Sequence, residues 1–148
     1  NPLTPIVLYY SVVRGRMDEK FIRELLADHS RNPRNYGRLV DPDAEHETSN
    51  PQCVGPTHPE GDEVTLTVEL SNETPPVIET AQFTGRGCTL SQATASLLTE
   101  EMIGSSVAEV ADWDSETLEN LVGMDLTPSR LKCAELALVA VRNAVENR

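Results

Sequence analysis

The chain has 148 residues, with 12 basic against 24 acidic side chains and a formal net charge of −12 at pH 7. That length suits one domain with a modest core; the surplus of acid excludes nucleic acid and anionic membranes as partners and suits basic proteins or cations, and no run approaches the ~20 apolar residues of a membrane span. Three cysteines, an odd count, argue against a closed disulfide framework and for a reducing, cytoplasmic setting with thiols that are free, metal-bound or catalytic.

Residues 1–16, NPLTPIVLYYSVVRGR, carry no acid, and their arginines follow the apolar run instead of preceding it, the wrong order for a secretory signal. They read as an extension or tail outside the core, with the folded domain over 17–148. In MDEKFIRELLADHSRNPRNYG, Phe21, Ile22, Leu25, Leu26 and then His29 recur at helical spacing, and Asn32-Pro33 stops the helix. His29 is a helix-face residue on this reading, not a ligand. LVDPDAEHETSNPQ is polar and loop-rich, compatible with a short edge strand over 44–48. EVTLTVEL alternates, with Val64, Leu66, Val68 and Leu70 on one face, and predicts a half-buried strand. The turn SNETPP leads to a second, antiparallel strand, VIETAQFTG.

Past that strand, Leu90, Ala93, Leu97 and Met102 predict one buried helical face, with Gly104 at its end. Residues 105–122 predict one or two short helices, with Trp113 as packing. In the last segment Leu131, Ala134, Leu138, Val141 and Val145 repeat at spacings of 3 and 4, with Thr127 as cap and Pro128 at the first position. The order of helix, strands and helices predicts an α+β domain: a small antiparallel sheet with helices packed on one face.

The chemistry centres on the cysteines. Cys88 stands after Gly85-Arg86-Gly87 at the predicted start of a helix. Free N–H groups and the dipole of a helix N-terminus stabilise a thiolate. A small core residue is the competing reading for any free cysteine. Cys133 lies in the second turn of the last helix, off the centre of its stripe. Cys53 lies in NPQCVGPTHPEGD, a loop with no core to fill, which raises the weight of a ligand role. Three cysteines from three segments could converge on one metal, with Asp62, His58 or an exchangeable group as the fourth ligand.

The stretches HSRNPRNYG, NPQC, GDEVTLTVEL, FTGRGCTLSQATAS and LTPSRLKCAEL occur in an order that resembles the U-type iron–sulfur cluster scaffold family: the NifU amino-terminal domain and its IscU and SufU relatives. The resemblance covers about 17–148. It implies a SufE/NifU-like fold with a three-stranded antiparallel sheet, and a site of Cys53, Asp62, Cys88 and Cys133 that holds a transient [2Fe–2S] cluster or zinc. It implies a cysteine desulfurase as sulfur donor, Cys133 as persulfide acceptor, and a downstream cluster carrier or apo-protein as recipient. Such a protein is a scaffold and sulfur carrier, not an enzyme. The alternative it carries is a zinc-dependent, SufU-like sulfur relay.

Three departures stand out. The family's Cys-Gly-Asp is interrupted by VGPTHPE at 54–60, which leaves open whether Asp62 reaches the site or whether His58 offers an imidazole instead. Lys132 precedes the last cysteine, as in SufU-type members, yet Cys88 and Cys133 are 45 positions apart, the IscU-type spacing. LTPSR at 126–130 departs from the chaperone-recognition segment of the IscU type, so a dedicated Hsp70-type chaperone is not expected.

Overall fold

The computed structural model describes residues 19–55, 59–123 and 125–146. The extension expected over 1–16 and the His58 imidazole lie outside the described residues. Helix α1 (Glu19–Arg31) buries Ile22, Leu26 and His29, one turn apart on a single face. Phe21, grouped with that stripe by sequence, is 51% exposed, because it lies about 100° round the helix from Ile22.

Beyond α1 the chain runs beside the last strand of the sheet. Phe83 N–H donates to Asn35 O at 3.0 Å and Gly37 N–H donates to Phe83 O at 2.8 Å. The chain then crosses the face of the sheet turned away from the helices, where Leu39 N–H donates to Thr67 Oγ1 at 3.1 Å. That crossing explains why Thr67, on the polar side of its strand, is buried.

The sheet has the order β1 (Ala44–Asn50), β2 (Asp62–Leu70), β3 (Ile78–Arg86), antiparallel throughout. Strand β1 is longer than the sequence suggested, and its pairing with β2 runs from Ala44–Val68 to Asn50–Asp62. Val64, Leu66, Val68, Ile78, Ala81 and Phe83 form the buried inner face. Helix α2 (Thr89–Met102) lies over β3, and helix α5 (Pro128–Glu146) lies over β1 and β2.

Helix α2 differs from the one-sided stripe its sequence predicted. Ser91, the run Ala93–Thr99, Glu101 and Met102 are all buried. The cause is its place between α1, β3 and α5. Small residues let these neighbours approach, and hydroxyls turn inward onto the backbone, as in Thr94 Oγ1 to Leu90 O at 2.6 Å and Thr99 Oγ1 to Ser96 O at 2.8 Å. Two short helices, α3 (Val107–Ala111) and α4 (Ser115–Val122), complete the helical layer. Asp114 and Thr117 form a reciprocal cap on α4, and Trp113 is buried. Thr127 caps α5, its hydroxyl accepting from Arg130 N–H at 3.4 Å. Among the described residues no helix is long and apolar enough to cross a membrane.

Candidate metal centre

The site forms where β1 ends, β2 begins and α2 starts. Asp62 opens β2, directly opposite Asn50, and is 1% exposed. Its Oδ1 accepts the Cys88 backbone N–H at 3.0 Å, and its Oδ2 accepts the Cys88 thiol at 3.2 Å. Cys88 is the N-cap of α2, as its sequence position predicted, and its sulfur accepts Ser91 N–H at 3.4 Å.

Two glycines make this close approach feasible. A Cβ on Gly87 would stand 2.6 Å from both Asp62 Oδ1 and Ser91 Oγ. Gly61 has φ +97, and a Cβ there would stand 2.5 Å from Asn50 O, so the turn into β2 needs glycine on both counts. The inserted residues therefore leave Asp62 beside Cys88, because strand register and not loop length fixes its position.

Cys53 sits in a tight turn just past β1. Its N–H donates to Asn50 O at 3.2 Å, and its sulfur accepts Asn50 Nδ2–H at 3.2 Å. The Cys53 and Cys133 sulfurs are 2.9 Å apart. Both thiols are free; a disulfide would stand at about 2.05 Å. Burial first, then the hydrogen bond with Cys53 and the neighbouring thiols, push the Cys133 thiol far above its ordinary range. A cation is what would reverse that balance, since a metal ligand must be a thiolate.

Donor atoms of Cys53, Asp62 and Cys133 all lie within 4.8 Å of one another. Cys88 is outside this mutual set and joins it through the Asp62 carboxylate and through a contact of its thiol with that of Cys133. Ligand atoms around a tetrahedral ion with ~2.3 Å metal–sulfur bonds stand about 3.8 Å apart, so the donor set fits zinc in chemistry, and the Cys53 and Cys133 sulfurs, at 2.9 Å, would move apart to hold it. The three cysteines line an open cavity of about 820 Å³, with Lys132, Arg130 and Val54 also on its wall. Lys132 is exposed. Sequence reasoning missed Asn50; the available signal was an Asn-Pro step three positions before a loop cysteine, the spacing of a side-chain-closed turn.

Fold and site together define an α+β domain carrying a cysteine–aspartate cluster at an open sheet end. Residues 22–147 match the NifU-like N terminal domain family, and the chain belongs to it. It is 32% identical over 139 residues to the iron–sulfur cluster assembly scaffold protein IscU of Streptococcus pyogenes serotype M1, covering 82% of this chain and 80% of that protein. It is 31% identical over 140 residues to the zinc-dependent sulfurtransferase SufU of Bacillus subtilis, covering 83% and 88%. Among solved structures, a SUF-system protein of Fervidobacterium islandicum AW-1 shares the fold with a TM-score of 0.66 at 23% identity, over 86% of this chain and 99% of that one.

Proposed function

We propose that this protein is an iron–sulfur cluster assembly scaffold, which accepts persulfide sulfur from a cysteine desulfurase and assembles or relays a nascent [2Fe–2S] cluster. The cluster is cargo, destined for a downstream carrier or apo-protein. The observation that carries the reading is the meeting of three cysteines from three separate segments on the wall of an open cavity, with one buried carboxylate, Asp62, beside them. Cys53, Asp62, Cys88 and Cys133 are the ligand set, and Cys133 is the persulfide acceptor. Three free thiols fit a cytoplasmic, reducing setting.

Sulfur acceptance follows from thiol chemistry. The Cys133 sulfur, giving up its proton, attacks the outer sulfur of the donor's persulfide; a new S–S bond forms, the donor's S–S bond breaks, and the donor cysteine leaves as a thiolate that takes up the proton. The acidic surface favours a donor with a basic docking face. Cys53, 2.9 Å from the acceptor sulfur, is the neighbouring thiol along which sulfur can move.

A zinc-dependent sulfur relay is the second reading, favoured by Lys132 before Cys133 and by the Bacillus subtilis relative. Zinc bound by the same four residues would keep their thiolates deprotonated, and sulfurtransferase activity would then belong to the pair of proteins. Two measurements test these readings. Cys133→Ser should lose persulfide loading from a desulfurase while keeping its circular dichroism; unchanged loading overturns the acceptor assignment. Protein purified without oxygen should carry iron with equal labile sulfide and a visible charge-transfer band under the first reading. Under the second it should carry near-stoichiometric zinc and no colour.

A further inference from the structure

We propose that Asn50 is a positioning residue of the metal site, holding the Cys53 sulfur through its side-chain amide and so setting how strongly that sulfur binds a metal. The inference rests on the reading of Cys53 as a ligand and adds the group that orients it.

Three hydrogen bonds tie Asn50 to the turn. Its backbone carbonyl accepts Cys53 N–H at 3.2 Å, its Oδ1 accepts Gln52 N–H at 3.0 Å, and its Nδ2 donates to Cys53 Sγ at 3.2 Å. These contacts fix the amide's orientation. A backbone N–H can only donate, so the oxygen must face Gln52, and the NH₂ is left facing sulfur.

The backbone of Asn50 is fixed as well, by its pairing with Asp62 at the end of β1 and β2. The donor is therefore built into the sheet end and does not depend on a mobile side chain. A hydrogen bond to a charged acceptor is about twice as strong as one between neutral groups, so Asn50 acts most on the sulfur once it is a metal-bound thiolate. Partners of this kind, one bond removed from the metal, typically change affinity by about 10- to 100-fold. Hydrogen bonds to ligand sulfur also tune the electronics of iron–sulfur centres.

The test separates shaping the turn from holding the sulfur. Asn50→Ser keeps an oxygen that can accept Gln52 N–H but cannot reach Cys53, whereas Asn50→Ala loses both functions. Zinc affinity is read by chelator competition, and the sulfur-to-metal charge-transfer band is read in cobalt(II)-substituted protein. We expect Asn50→Ser to keep its urea midpoint near wild type, yet to lose about 10- to 100-fold in zinc affinity and to shift the band to longer wavelength, as Asn50→Ala does. Wild-type affinity and band position in Asn50→Ser would mean that Asn50 only shapes the turn, and the inference falls. Cys53→Ser serves as the control: if it leaves both readouts unchanged, the assignment of Cys53 as a ligand has failed, and the inference fails with it for that separate reason.

Discussion

Asn50 and Asp62 face each other across the last rung of the β1–β2 pair, and each reaches beyond the sheet to a different cysteine. The Asn50 amide holds the Cys53 sulfur at 3.2 Å, and the Asp62 carboxylate holds Cys88 through its N–H at 3.0 Å and its thiol at 3.2 Å. One cross-strand pair thus sets the spacing of two thiols that are 35 positions apart in sequence.

Asp62 should matter for stability as well as for metal. Asp62→Ala leaves the Cys88 N–H without its acceptor, which should cost about 1–3 kcal/mol in metal-free protein. Asp62→Asn keeps a carbonyl oxygen for that N–H and should cost much less. Urea unfolding of both variants, freed of metal, measures the difference; equal midpoints would show that the carboxylate does not support the start of α2.

Gly87→Ala should disturb the site without replacing a ligand. The new Cβ would press on Asp62 Oδ1 and Ser91 Oγ, both 2.6 Å away. We expect a loss of about 1–3 kcal/mol, typical of overpacking, together with weaker zinc binding. A melting temperature and zinc affinity equal to wild type would contradict this account.

Glu101 is 3% exposed, and neither of its carboxylate oxygens has a hydrogen-bond partner. Burial, then the charge of Glu100, raise its pKa from 4.5 to about 7. The folded state therefore keeps this proton to a higher pH than the unfolded chain. The resulting stability is present below pH 4.5 and is lost as pH rises through about 7. Glu101→Gln should gain on wild type between pH 5 and pH 8 by on the order of 2–3 kcal/mol. Urea midpoints of both proteins at the two pH values give that gain; a constant difference would rule it out.

His29 has the opposite sign. Burial, then the Arg34 charge, lower its pKa, with Asp28 acting against them. Its contribution is present above the unfolded value of 6.5 and is lost as pH falls. His29 Nδ1 lies 2.8 Å from Ser96 Oγ, which also accepts Arg34 N–H at 2.8 Å. Ser96→Ala should therefore cost about 1–3 kcal/mol at neutral pH. Replacing His29 by Gln should remove the acid-side loss, seen as a flatter fall in urea midpoint from pH 7 to pH 5.

What the sequence disclosed, and what it hid, follows the range of the forces involved. The alternation of Val64, Leu66 and Val68, the stripe through Ala134, Leu138 and Val141, and Cys88 at a helix start are local patterns, and all appear in the fold. Strand β1, AEHETSN, was only half visible: of its residues Ala44 alone is buried, and the strand is held by pairing with β2 and by α5. Glu101 reads as a solvated helix residue until neighbours cover it. The meeting of Cys53 with Cys133 depends on contacts spanning 80 positions, which no local pattern encodes. The resemblance supplied the expectation that they converge, but not the role of Asn50.

The interrupted Cys-Gly-Asp carries one more consequence. Strand pairing clamps Asn50 to Asp62 on either side of residues 54–60, and the entropy of closing a loop grows only logarithmically with its length. The connection is thus a natural splice point. A short reporter peptide grafted there should leave both clamped ends in place, and, with Val54 on the cavity wall, its fluorophore would stand at the mouth of the site and signal arrival of sulfur or metal in real time.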